Sequence, residues 1–507
     1  MLQSRHPSYL GMFSNFMART VLFILLSLLF SPSFSHGETV EGGFISVDIF
    51  DKGLDFVKDL LVHKAVSSLI PLQLPQIEKY VKIPIVGEVH IVLSNITIYQ
   101  VHVSSSTVEP GDTGITIVAS GATANLSMDW RYSYSTWLFP IGFSDKGGAS
   151  VQVEGLEVGL TLGLKNQQGT LKLSVLECGC YVKDISIKLD GGASWLYQGV
   201  VDAFGGKIGS SVEDAVSKKL EDGIVKLDSL LQSLPKEVAI DDTAALNVTF
   251  VNDPVLSYSS IDLEIDGLFT ATDEVVVSNH YYENIRSSVF FCQGPAKMVG
   301  ISLHENVLNS ASFVYFNADF MHWSVDKIPD QSLLNTAGWR HIVPQLYKKY
   351  PNDDMNLNIS VSTPPIIKIA QENINAKVYL DVTIDVLDAG EVIPVACISV
   401  IIRLSGSAEI SRNNLAGSVK LNDFSMSLKW SEIGKLHMQL IQTVMSTILK
   451  TVFLPYVNLR LRRGFPLPLF HGYRLQNTQI LCTDSRIVIC SDVASLKQYN
   501  LNPLMVY

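Results

Sequence analysis

Cys178 and Cys180 stand two residues apart in "ECGC", and paired thiols suggest either metal ligation or disulfide chemistry. One intervening residue is too few for a zinc knuckle, and a second ligand pair is lacking. The two read as structural cysteines or as one end of a bridge to a distant partner. Cys482 and Cys490 flank "TDSRIVI" and could face each other across a hairpin, although spacing alone does not fix connectivity. The glycines of "AFGGKIG" would cradle phosphate only at a strand-to-helix turn, and they fall inside a stretch with helical spacing. The chain carries no G-x-S-x-G elbow, Walker A loop or H-E-x-x-H pair, and its eleven His are scattered. No catalytic or metal-binding constellation emerges. The chain reads as a binder, not an enzyme.

The densest chemistry is aromatic. "DWRYSYSTWLFPIGF", Asp129 to Phe143, has one basic side chain among its rings. Strand alternation sets Trp130, Tyr132 and Tyr134 on one face, and "WLFPIGF" then runs almost without a polar break. So many rings form either core or an apolar edge that meets something other than water.

Long alternating segments and a few long helices must position these residues. "DKGLDFVKDLLVHKAVSSLI" carries Leu54, Val57, Leu61 and Ala65 at helical spacing. Alternating runs from Gly87 to Asp190, punctuated by Gly, Asn and Asp, predict a curved antiparallel sheet. A long helical stretch from Trp195 follows and ends at Pro235. The second half repeats the order: strands around Leu256 to Phe316, and a helix in "SLLNTAGWRHIVPQLYKKYP" that Pro344 kinks or restarts. Further strands follow, then a closing helix through "LPYVNLRLRRG". The fold class is α+β, each half one strongly bent antiparallel sheet wrapping a long helix. Such a layered arrangement leaves an apolar seam between helix and sheet. Leu54, Val57 and Leu61 on the first helix, and Val200, Val201, Phe204 and Ile208 on the second, are candidates to line it. Ordinary helix-on-sheet core is the alternative at each position.

Arg19, the apolar run "VLFILLSLLF" and small residues at Ser33 and Ser35 read as a signal peptide over residues 1–35. The expectation is a secreted, extracellular monomer. Sequons at Asn95, Asn125, Asn247 and Asn358 agree with that route. A length of 507 residues predicts two domains. We place them at 36–238 and 257–507, with a linker at 239–256. From His36 to Phe250 there are 16 Lys+Arg against 26 Asp+Glu, a net of −10, which excludes nucleic acid as a partner.

Several stretches, in order along nearly the whole mature chain, carry a family resemblance: "DKGLDF", "LECGCYVKDISIKLDGGASWL", "MVGISLHENVLNSASFVYF", "VSTPPIIKI" and, most specific, "LPYVNLRLRRGFPLP". The chain resembles the bactericidal/permeability-increasing and lipopolysaccharide-binding proteins of the tubular lipid-binding superfamily. The resemblance implies an elongated boomerang of two barrels joined by a central sheet, each barrel holding a phospholipid's acyl chains between helix and sheet. It implies no cofactor beyond bound phospholipid. Its implied partners are lipopolysaccharide, phospholipid and a bacterial or host membrane surface, in innate defence.

The resemblance also places a lipid A or membrane tip on hairpin ends of the first barrel. Here that tip corresponds to Lys79, Lys82, Trp130, Arg131, Trp137, Leu138, Phe139 and Lys146. Where the family offers a basic N-terminal half this chain is acidic, so insertion of rings is expected to outweigh charge. The family's disulfide from the "CGC" strand to the second helix lacks its helix cysteine here. A lipid carrier without lipopolysaccharide specificity is the alternative. Arg460, Arg462 and Arg463 close the last helix, where they complement its dipole.

Overall fold

The structure is a computed structural model that describes residues 42–83, 87–135, 142–190, 197–272, 292, 296–328, 330–467 and 472–496. The proposed signal peptide and Trp137, Leu138 and Phe139 lie outside these residues.

β1 (Ile45–Phe50) leads directly into α1 (Asp51–Ser68), whose first-turn Asp51 suits the positive end of the helix dipole. The next strands are β2 (Leu72–Gln73), β3 (Ile77–Ile83), β4 (Gly87–His102), β5 (Ser105–Gly111) and β6 (Gly114–Tyr134). β7 (Phe143–Gln167), β8 (Thr170–Tyr181) and β9 (Asp184–Asp190) complete one antiparallel sheet. The order is β2-β4-β6-β7-β8, with β3 beside β4, β5 beside β6 and β9 beside β7. Register shifts between Ala119 and Ala124 bend the long β6–β7 ladder, and Gly121 and Gly155 take positive φ (66° and 64°) at that point. Against the inner face lies α2 (Tyr197–Gln232). It buries Phe204, Ile208, Val212 and Val216 at four-residue spacing. Its carboxylates also capture sheet amides: Val182 N donates to Glu213 Oε1 (2.8 Å) and Leu173 N to Asp228 Oδ1 (2.7 Å).

Short strands run through the middle of the chain, including the stretch placed as a linker. β10 (Glu237–Ala239) and β11 (Ala244–Asn247) pair, and Ala244, Ala245 and Leu246 are buried. β12 (Val255–Ser257) and β13 (Ser260–Ile265) form a hairpin, and β14 (Phe269–Ala271) joins β11. β15 (Val299–His304) runs into α3 (Glu305–Asn317), a helix where strands were expected. The reason lies in its spacing: Val307, Ser310 and Val314 are buried along one face, and His304 Nδ1 caps Asn306 N at 3.1 Å.

β16 (His322–Val325) and two short 3-10 turns precede α4 (Pro344–Lys349). Pro344 therefore starts a helix, since its missing N–H costs nothing in a first turn. β17 (Asp354–Ala370), β18 (Asn373–Asp388), β19 (Glu391–Ser411) and β20 (Asn414–Ser431) form the second bent sheet. It is crossed by α5 (Met438–Ile448), a π turn at Leu449–Phe453, and α6 (Leu454–Leu461). Pro455 explains the π turn, because it cannot supply the N–H that an α-helical turn requires there. β21 (Phe465–Pro466) edges β20, and the hairpin of β22 (Tyr473–Thr483) and β23 (Arg486–Ser495) closes the chain. The central sheet runs β12-β13-β1-β15-β23-β22, uniting strands from both halves of the sequence.

Candidate functional site

The two long helical systems differ in how they are covered. The first half of α2 is sealed: Phe204 and Ile208 have no exposed surface and pack among Val89, Ile91, Leu93 and Trp130, while Val225 and Leu230 towards its end are exposed. α1 is held mainly through its first half. Leu54 is buried, and Lys58 pins the helix by donating to Ser106 O (3.1 Å) while pairing with Asp55 and Asp59. Beside these anchors Val57 and Leu60 remain 43% and 40% exposed, and Leu61 is half-buried. An amphipathic helix with an uncovered apolar face has apolar surface left to bury.

The closing helix repeats the arrangement on the second sheet. Ile441, Val444, Met445, Ile448, Leu449 and Phe453 enter the core. Leu440, Tyr456, Leu459 and Leu461 stay exposed. From Met438 to Leu461 the helix is long and apolar enough to cross a bilayer, yet one face is packed against the sheet. Trp323 lies between Phe453 and Tyr456, with ring centroids 6.1 and 5.9 Å away. The half-covered apolar side chains Leu60, Leu440 and Leu459 escaped the sequence reading, although helical periodicity carries their signal.

The hairpin-end aromatics form a ladder of rings. Trp130–Tyr132, Tyr132–Tyr134 and Tyr134–Phe143 stack at 5.8, 6.2 and 5.4 Å. Burial falls along it, from 4% exposure at Trp130 and 8% at Tyr132 to 48% at Phe143.

Residues 53–234 match the model of the LBP / BPI / CETP family, N-terminal domain, and residues 238–495 match its C-terminal domain. The chain belongs to the LBP/BPI/CETP family. A BPI/LBP family protein of Arabidopsis thaliana is 58% identical, over 94% of this chain and 97% of the relative. A bactericidal permeability-increasing protein of Sebastes schlegelii is 25% identical over 89% of this chain and 94% of its own. The human lipopolysaccharide-binding protein is 24% identical over 90% and 95%. A crystal structure of lipopolysaccharide binding protein superposes with a TM-score of 0.63 at 19% identity, covering 90% of this chain and 99% of that one. The resemblance carried by the sequence motifs and the α+β class both hold.

Within this LBP/BPI/CETP fold, several site expectations change. Trp130 is not at a lipid-facing tip: it points into the barrel, and its Nε1 donates to Gly148 O at 2.9 Å. Lys79 is half-buried and donates to Ala203 O (2.8 Å), so it fastens β3 to α2. Lys82, Arg131 and Lys146 are exposed, the last two being direct partners across β6 and β7. Val200 and Val201 lie in α2, but their side chains fall outside the described residues.

Cys490 does not pair with Cys482. It is bonded to Cys292, while the hairpin register sets Cys482 opposite Ile487 and Cys490 opposite Gln479. Cys178 and Cys180 are free. Among the sequons, Asn95 is exposed, with Nδ2 donating to Asp129 Oδ2 (2.8 Å). Asn125, Asn247 and Asn358 are half-buried.

Proposed function

We propose that this protein is a secreted, non-enzymatic lipid-binding protein of innate defence. In this reading it takes up acyl chains of lipopolysaccharide, through lipid A, at the uncovered faces of α1 and of the closing helix. The observation that carries it is the pair of helices whose apolar sides are half covered by their bent sheets, at Val57 and Leu60 and at Leu440 and Tyr456. Burying acyl chains contributes about 0.8 kcal/mol per CH₂, so affinity needs no reactive group. Lys82, Arg131 and Lys146 would meet the lipid A phosphates. The names of the animal relatives support this ligand.

The acid excess of the first half favours a second reading, carriage of phospholipid or neutral lipid without lipopolysaccharide specificity. Phosphate recognition relies on Lys and Arg, and Lys79 is engaged internally. Organic extraction of the purified protein, with mass spectrometry of the lipids and a parallel lipopolysaccharide titration, tests both readings. Copurified lipid with saturable lipopolysaccharide binding supports the first. Copurified lipid without it, together with exchange of labelled phospholipid between vesicles, supports the second. Absence of copurified lipid and of both activities rejects the two together.

A further inference from the structure

Between Glu432 and Asp484 the sequence contains no carboxylate, while it carries Lys435, Lys450, Arg460, Arg462, Arg463 and Arg474. In a chain of formal net charge −11 this is a local reversal, and it coincides with the closing helix. Complementing a helix dipole accounts for a cation in the last turn. It does not account for three exposed guanidinium groups interleaved with exposed apolar side chains. Leu459 is 61% exposed, and Tyr456 and Leu461 are exposed beside it. None of the three arginines makes an ion pair among the described residues. Arg460 lies over the Tyr456 ring at 5.6 Å, and its charge also reaches Asp241, whose carboxylate already accepts from Tyr315, Thr243 and Ala244.

The helix end is rigidly mounted. Asn458 accepts from Val419 N (2.7 Å) and donates to Val419 O (3.1 Å), and Asn414 Nδ2 donates to Arg463 O (3.1 Å). Gly464 then turns the chain with φ of 61°. A fixed surface of this composition, basic and apolar with a Tyr at its edge, matches the interfacial zone of a negatively charged membrane.

We propose that the end of α6 is a docking surface for an anionic phospholipid bilayer. Arg460, Arg462 and Arg463 meet lipid phosphates, and Tyr456, Leu459 and Leu461 enter the head-group layer. The same membrane charge repels the acidic remainder of the chain, so this patch sets the orientation. The patch adjoins the closing-helix seam and shares Tyr456 with it, but its arginines belong to the patch alone: lipid extraction reads the seams and the arginine dependence of vesicle binding reads the patch, so either proposal can fail alone.

The test is sedimentation of the full mature protein with phosphatidylcholine vesicles made with or without phosphatidylglycerol. The expected result is preference for the anionic vesicles. Arg460→Gln/Arg462→Gln/Arg463→Gln should reduce that partitioning about fivefold per arginine, on the order of a hundredfold in all, at low salt. Binding to neutral vesicles should not change. The triple Lys variant at the same positions should retain most of the binding, which guards against a folding artefact. Lys165→Gln/Lys218→Gln/Lys226→Gln removes three exposed cations elsewhere and should leave partitioning near wild type. The proposal is overturned if the Gln variant binds like wild type, or if the control loses as much. Arginine-dependent pelleting without vesicles, which would mark self-association, overturns it as well.

Discussion

The indole of Trp130 lies against Gly147, its direct partner on the adjacent strand. A methyl group added there would sit 2.5 Å from Trp130 Cζ2 and 2.6 Å from Asp190 O. The glycine is the space into which the ring folds. Gly147→Ala should therefore overpack this corner and cost about 1–3 kcal/mol. Trp130→Ala, which empties it, should cost about 3–5 kcal/mol. Calorimetric melting of both variants checks this. An unchanged melt for Trp130→Ala would return the ring to the surface.

Cys292 and Cys490 are joined across a sequence separation of 198 residues. Non-reducing peptide mapping should recover that pair and leave Cys482 alkylatable after unfolding. Cys292→Ser should lose about 2–5 kcal/mol, whereas Cys482→Ser should be nearly silent. In the native protein Cys180 should resist alkylation at pH 8. Burial, with Glu213 and Cys178 nearby, pushes its thiol up to about 12, so almost none is thiolate.

The central sheet contains two groups that titrate in opposite senses. Burial raises Asp48 to about 7, with Asp262 and Glu264 adding to the effect and Arg486 opposing it. Burial lowers His304 to about 4, assisted by Arg486 and Lys368 and opposed by Glu305. The native state binds the Asp48 proton more tightly than the unfolded chain, so this group's contribution declines as pH rises from about 4 to 7. It binds the His304 proton less tightly, so that contribution grows from about pH 4 to 6.5. The two offset one another in the wild type. Asp48→Asn should unmask the histidine: urea unfolding should match wild type at pH 4, and at pH 8 the variant should be more stable by up to roughly 4 kcal/mol. Equal pH profiles for the two proteins would refute this coupling.

The periodic elements were legible in the sequence because burial imposes a period. The β4 and β6 alternation and the Phe204-Ile208-Val212 stripe translate directly into a sheet and a helix face buried against it. Direction and long-range pairing were not legible. Alternation put Trp130 and Tyr132 on one face without saying which face was inside. The bond of Cys292 to Cys490 depends on β15 pairing with β23, a contact between distant segments that no local spacing encodes. α3 read as strand because its small and polar buried residues, Ser310 and Ser312, weaken a hydrophobic period. Ser312 Oγ instead donates to Pro365 O and Asn309 brackets Ile367, so side-chain hydrogen bonds hold this helix to β17.

Val57 on α1 and Phe204 on α2 together separate packing from the proposed lipid binding. Val57 is half-exposed and Phe204 is fully enclosed, although both are apolar positions on long helices of one lobe. Val57→Asp should change stability by no more than about 0.5 kcal/mol, as is usual for exposed positions. It should nevertheless reduce copurified lipid, because a carboxylate beside Leu60 and Leu61 would be desolvated by an acyl chain. Phe204→Ala should do the reverse, costing about 3–5 kcal/mol while any folded fraction keeps its lipid per molecule. Quantitative lipid analysis and thermal melts on the same preparations measure both. If Val57→Asp retains the wild-type lipid load while Phe204→Ala loses it, the ligand lies against α2 and the α1 assignment is wrong.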